Sequence, residues 1–266
     1  MDRRAIGVFD SGLGGLTAAK VLEETMPCEN IIYLGDTANM PYGPRSREDI
    51  TRLALQNAEF LQKRNVKAIL VACGTVSSNA LDKLRESFAV PFFGVIDSAA
   101  LAACEATETG RIGVIATEAS IRSGAYRRAI EACGKSVKVF ETACPSFVPL
   151  VESGHFSAKD AKVRAAVEAE LSALKRFGAD TVILGCTHFP ILGEAIAEYL
   201  GEDARLISCG GEAALALREY LHNEDKLKRG DEVGERRWFT SGDPATFSEG
   251  AGLFLGHSVE AEKAYF

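Results

Sequence analysis

The chain has 266 residues, 47% apolar and 25% charged, with a net charge of −7. That size allows one large or two small domains with a core that needs neither disulfides nor metal. The acidic balance disfavours a broad nucleic-acid surface, and no run of about 18 apolar residues offers a membrane span.

The start, Met1-Asp2-Arg3-Arg4, leads straight into an apolar strand and lacks the features of a signal peptide. The seven cysteines are an odd number without C-x-x-C spacing, which reads as free thiols in a reducing compartment. A cytoplasmic protein is expected.

Short apolar runs alternate with longer amphipathic ones. In the first half, strands are predicted over 5–9, 31–34, 68–72 and 92–96, with helices over 16–25, 47–64 and 77–88. In the second half, strands fall at 112–116, 137–140, 181–184 and 205–208, with helices over 119–132, 158–177 and 191–199. A helix over 212–222, a charged loop over 223–237, the apolar start of Trp238-Phe239-Thr240-Ser241-Gly242-Asp243 and a helix over 244–254 complete the chain. Strands separated by helices of this length form βαβ units and a parallel sheet. The strand runs are nearly continuous in apolar residues, as expected when both faces are covered.

The halves echo each other. Ile6-Gly7-Val8 returns as Ile112-Gly113-Val114, 106 residues later, and Cys73 and Cys186 lie 113 apart. The expected fold is α/β, with two pseudo-symmetric parallel-sheet domains and the active site in the cleft between them. The first domain takes 1–97 plus 210–266, so that the tail packs back on it. The second takes 98–209.

Each of those two cysteines ends an apolar strand and opens a polar turn: Cys73-Gly74-Thr75 and Cys186-Thr187-His188. Strand C-termini are where open α/β sheets place ligands. Two thiols at equivalent positions suit a reaction that needs an acid on one face of a carbon and a base on the other. His188 stands where it can tune Cys186. A lone cysteine is most often a small buried hydrophobe, and Cys28, Cys104, Cys133, Cys144 and Cys209 read as that or as spectators. Zinc is not expected, because the paired ligand spacings are missing.

Asp10-Ser11-Gly12-Leu13-Gly14-Gly15 offers glycines for close backbone approach to a ligand and a helix N-terminus suited to a carboxylate. Alternatively it is a structural turn with Asp10 as a cap. Thr17 stands where a dinucleotide fingerprint needs glycine, and no P-loop lysine follows. Pro41-Tyr42-Gly43-Pro44 is a turn with one aromatic side chain. Glu152 ends an apolar stretch before a glycine turn, as an exposed carboxylate or one near the cleft.

These motifs, with Tyr33-Leu34-Gly35-Asp36-Thr37 and Gly185-Cys186-Thr187-His188-Phe189-Pro190, resemble in order and spacing the bacterial glutamate racemases of the aspartate/glutamate racemase superfamily. The resemblance covers nearly the whole chain. It implies cofactor-independent interconversion of L- and D-glutamate, supplying D-glutamate for peptidoglycan. It implies that Cys73 takes the α-proton of D-glutamate and Cys186 that of L-glutamate, assisted by Asp10 and His188. It places substrate against Asp10, Ser11, Tyr42, Gly43, Gly74, Thr75, Thr187 and His188, and adds Glu152 as a cleft carboxylate. One departure stands out: the family commonly has Asn where this chain has Gly74, which removes an amide able to bind a carboxylate. Alternatives are an aspartate racemase of the same superfamily, a dicarboxylate-binding protein without catalysis and, least of all, a thiol redox protein. The expected partners are glutamate and a second copy of the chain, with no nucleic acid and no membrane.

Overall fold

Every strand runs parallel to its sheet neighbours, in two separate sheets. The computed structural model describes residues 1–230 and 232–266. The strands are β1 (Ile6–Asp10), β2 (Ile31–Gly35), β3 (Ala68–Val71), β4 (Phe92–Gly94), β5 (Arg111–Ala116), β6 (Lys138–Ala143), β7 (Thr181–Leu184), β8 (Arg205–Ser208), β9 (Arg236–Thr240) and β10 (Ala261–Lys263). The first sheet has the order β10-β9-β2-β1-β3-β4 and the second β6-β5-β7-β8. The run β2-β1-β3-β4 is therefore repeated as β6-β5-β7-β8, and the internal echo is topological as well as sequential. β1, β2, β3 and β7 are buried along their whole length, which accounts for their unbroken apolar runs.

Several boundaries differ from expectation for local reasons. The predicted helix over 119–132 is two helices, Glu118–Ser123 and Ala125–Ala132, because Gly124 adopts a left-handed φ of 65°. The one over 77–88 is also two, Gly74–Asn79 and Leu81–Ser87, divided at Ala80. β4 ends at Gly94, and a helix Ile96–Ala106 that the pattern did not reveal begins two residues later. β9 and β10 were also not anticipated as sheet strands. β9 pairs with β2 and extends the first sheet, so the tail does return to the first half.

The charged segment before β9 is a loop up to Glu235, and Asp231 within it lies outside the described residues. A buried ion pair secures it. Lys67 Nζ meets Glu29 Oε2 at 2.6 Å with both side chains at most 1% exposed. Lys67 also donates to the Lys226 carbonyl at 2.9 Å, and the Lys228 N–H donates to Glu29 Oε1 at 2.6 Å.

One large apolar cluster runs through both sheets and includes Leu16, Tyr33, Val114, Ile183 and Leu217. A second lies on the other face of the first sheet, around Phe9, Leu34, Leu53 and Leu61. Each fully buried side chain of this size contributes roughly 1.5–3 kcal/mol. Helix Cys209–Asn223 packs on both Leu16–Thr25 and Ile96–Ala106 and joins the halves. No helix among the described residues is long and apolar enough to cross a membrane.

Candidate active site

In both sheets the strand order reverses direction beside the central strand, between β1 and β3 and between β5 and β7. Loops leaving the C-terminal ends of strands diverge at such a point and leave a crevice. Here the two crevices form one cavity of about 270 Å³. Asp10 and Ser11 enter it from β1, Cys73, Gly74 and Thr75 from β3, and Cys186, Thr187 and His188 from β7. Tyr42, Gly43 and Glu152 also line it, so all the predicted site residues meet in one place. A broader hollow of about 900 Å³ lies along helix Arg47–Gln62, but it holds mostly that helix's charged surface and none of these groups.

Each thiol is buried and held differently. Cys73 is the N-terminal cap residue of helix Gly74–Asn79, and its Sγ lies 3.7 Å from Ser11 Oγ. Burial pushes this thiol up to about 11, the Asp10 carboxylate adds to the effect, and the Val76 N–H and Ser11 oppose it. Cys186 Sγ lies 3.9 Å from His188 Nδ1. Burial raises it well above the usual thiol range, against a stabilising His188 N–H. Both cysteines therefore favour the neutral thiol at neutral pH.

Asp10 is almost wholly buried, and burial raises its carboxyl despite the charge of His188, the N–H groups of Gly12 and Gly15, and Thr187. Its Oδ1 accepts from the Gly12 N–H at 2.8 Å and its Oδ2 from Thr187 Oγ1 at 3.2 Å. The Gly12 and Gly15 N–H groups of the glycine turn thus serve the chain's own carboxylate. The glycines serve close approach between the halves. A Cβ on Gly14 would overlap the His188 ring. Gly74 behaves alike, since a Cβ there would overlap the Gly185 carbonyl oxygen.

His188 Nε2 lies 3.2 Å from Glu152 Oε1, at ion-pair distance. The pair is misaligned for a hydrogen bond, and Nε2 has no hydrogen-bond partner among the described residues. Tyr42 contributes a buried wall. Its hydroxyl donates to the Asp36 carboxylate and accepts from Asn57 Nδ2 at 3.1 Å. Among the described residues no lysine or arginine lines the cavity, so an anionic ligand there meets hydroxyls, backbone N–H groups and His188.

Thr117, Glu118, Cys144, Pro145, Val148 and Pro149 also line the cavity. The echo of 106 residues that relates Ile6 to Ile112 carries Ser11 onto Thr117, and that signal was available. Thr117 Oγ1 lies 3.0 Å from Thr75 Oγ1 and links the halves. Cys144 follows β6 and is buried within the apolar core, as expected of a small buried hydrophobe, and it also forms part of the wall, where burial and the Glu170 carboxylate raise its thiol. The short helix Phe147–Glu152 delivers Val148, Pro149 and Glu152. A proline in its first turn is tolerated but hid the helix from the pattern.

The family model described as Asp/Glu/Hydantoin racemase matches residues 17–217. The glutamate racemase of Geobacter metallireducens is 42% identical over 99% of this chain and 100% of its own. The crystal structure of a Bacillus anthracis glutamate racemase isoform superposes with a TM-score of 0.94 at 37% identity, covering 100% of this chain and 98% of that one. The Francisella tularensis glutamate racemase in complex with D-glutamate gives 0.91 at 36% identity, with the same coverage of 100% and 98%. An aspartate racemase homologue from Pyrococcus horikoshii gives 0.58 at 17% identity, covering 82% of this chain and 99% of that one; that likeness concerns the fold alone.

Proposed function

The chain belongs to the Asp/Glu/hydantoin racemase family, and on that premise we propose that it is a glutamate racemase that moves the α-proton between two thiols. The observation that carries this reading is the meeting of Cys73 and Cys186, from equivalent strands of the two sheets, in one cavity. Cys73 acts on D-glutamate and Cys186 on L-glutamate. In one direction the Cys73 thiolate takes the α-proton while the Cys186 S–H donates a proton to the opposite face. The C–H bond is broken on one side and remade on the other, and the two sulfurs exchange protonation states.

A neutral thiol is a poor base, so substrate binding must itself favour the thiolate. The α-ammonium group of glutamate brings a positive charge into a site that holds Asp10 and Glu152 and no lysine or arginine. That charge favours the thiolate by direct attraction. The Asp10 carboxylate, which by itself favours the protonated form of Cys73, pairs with the α-ammonium group beside that thiol, and His188 assists Cys186 with Glu152 behind its ring. Ser11, Thr75, Thr187 and the N–H groups of Gly43 and Gly74 hold the carboxylates, with Tyr42 as a wall. The buried position of the thiols strengthens each of these interactions, and substrate filling the cavity keeps water from quenching the carbanionic transition state. No external electron sink enters this scheme.

We also take 1–97 with 210–266 as one domain and 98–209 as the other, a division supported by sheet membership. The product would serve peptidoglycan synthesis in the cytoplasm, and a homodimer is the assembly to test first. The decisive experiment is D-glutamate in deuterium oxide without added cofactor, followed by optical rotation and by loss of the α-proton signal. Racemisation with deuterium uptake, absent in Cys73→Ala and Cys186→Ala, is expected. Glutamate binding without turnover overturns the assignment in favour of a binding protein, and turnover of D-aspartate alone moves it to the sister activity.

A further inference from the structure

Beside the catalytic cavity, the seam between the halves opens into a separate hollow of about 490 Å³. Arg45 and Arg47 reach it from the first half, and Arg122 and Arg128 from the second. A smaller hollow of about 280 Å³ adjoins it, shares Arg47 and Arg128, and adds Lys83 and Asp82. Such a concentration of positive charge is unexpected in a chain of net charge −7.

Three of the four guanidinium groups are oriented without being neutralised. Arg45 donates Nε and Nη2 to the Asn39 carbonyl at 3.0 and 2.6 Å. Arg47 donates Nε to the Asn79 carbonyl at 3.1 Å, and Arg128 donates Nη1 to the Ser123 carbonyl at 2.8 Å. Gly124 permits the last contact, since a Cβ there would stand 3.0 Å from Arg128 Nη1. Among the described residues no carboxylate is within ion-pair distance of Arg45, Arg47 or Arg128, and Arg122 has only a loose contact with Glu118 at 3.8 Å. Lys83 is paired with Glu86, and Asp82 lies 3.9 Å from Arg85. A neutral carbonyl fixes one edge of each fork and leaves its charge and remaining N–H groups uncommitted.

We propose that this hollow binds a small phosphate-bearing anion, a pyrophosphate or phosphate monoester, that bridges the two halves beside the catalytic cavity. Arginine forks match phosphate oxygens bidentately, and a tetrahedral group accepts from several converging forks where a planar carboxylate serves one. The hollow straddles the seam that Ser78 Oγ and Ser120 Oγ cross at 3.2 Å. Thr75 and Thr117, which line the catalytic cavity, meet across the same seam.

The test is calorimetric titration of the full chain with inorganic pyrophosphate at constant ionic strength, with ADP and citrate in parallel. Saturable binding of pyrophosphate is expected, weakened at least ten-fold in Arg47→Gln and in Arg128→Gln. Melting temperatures, and racemisation rates measured without pyrophosphate, are expected to stay at the wild-type level in both variants. Tighter binding of ADP identifies an organic diphosphate as the ligand class, and equal or weaker binding identifies the phosphate groups alone. No saturable binding, equal binding by both variants, or citrate binding as tightly as pyrophosphate overturns the proposal. The racemisation rates read in the same samples separate that failure from failure of the racemase assignment.

Discussion

The two halves of the molecule share a strand order but not the environment of their thiols. Cys73 caps a helix and has Ser11 and Asp10 as neighbours. Cys186 opens a turn into the short 3-10 helix Phe189–Leu192 and has His188 beside it, with Glu152 beyond. Topology therefore places two sulfurs at equivalent points, and burial raises both, with the Asp10 carboxylate adding to the effect at Cys73 and the His188 N–H opposing it at Cys186. A two-thiol reaction needs sulfurs that can each be the base while the other is the acid.

The largest effect is expected from removing either thiol. Cys73→Ala and Cys186→Ala should each lower kcat by at least about 10³-fold in both directions, in the upper range of what a positioned acid or base contributes. Steady-state polarimetry reads this, and a variant retaining a tenth of the activity would remove the equivalence of the two strands.

The halves also differ in their edges, because only the first sheet is extended by the tail. Lys67→Ala leaves Glu29 buried and unpaired beneath that extension, at a cost of about 3–5 kcal/mol. Urea denaturation measures the loss. A change below about 1 kcal/mol, the level of an exposed ion pair, would show that the tail does not depend on the pair.

Asp10→Asn and His188→Asn are expected to lower kcat by about 10²-fold, in the lower range for a group acting on proton transfer, but unequally by direction. L- and D-glutamate are mirror images, so their equilibrium constant is one and kcat/KM must fall equally both ways. The asymmetry appears in kcat and KM separately: Asp10→Asn slows D-glutamate more, and His188→Asn slows L-glutamate more. Equal kcat losses in both directions for both variants would erase the distinction drawn between the two thiols.

The pH dependence is subtler. Burial raises the Cys73 thiol to about 11, so the thiolate fraction increases with pH throughout the range below that value. kcat/KM for D-glutamate should rise between about pH 7 and 9, then fall once the opposing thiol also ionises, as for any paired acid and base. A flat profile over the rising range would show that burial does not govern Cys73. The smallest change is Gly74→Ala. Its methyl would overlap the Gly185 carbonyl oxygen and should lower kcat about ten-fold, an effect of about 1.4 kcal/mol on the barrier, together with a lowered melting temperature.

The cysteine pair of the cavity was legible because periodicity and turn residues mark strand ends, and both cysteines sit at strand ends. Thr117 was legible in principle through the internal echo. Cys144 and Pro149 were not, because a cysteine after a half-exposed edge strand and a proline-bearing helix look like ordinary packing. The roles of Gly14 and Gly74 were equally hidden, since what each glycine avoids belongs to the other half of the chain.

By itself the sequence determined the alternation of buried strands and amphipathic helices, the doubled order of the halves and many of the residues that line the shared cavity. These depend on contacts local in the chain, where apolar spacing and caps act directly. The tertiary structure decided that β9 extends the first sheet, that Asp10 takes up the glycine-turn N–H groups, that both thiols are raised by burial, and that arginines from both halves surround one seam. Burial, charge proximity and overlap are set by residues far apart in sequence, and only the folded chain brings them together.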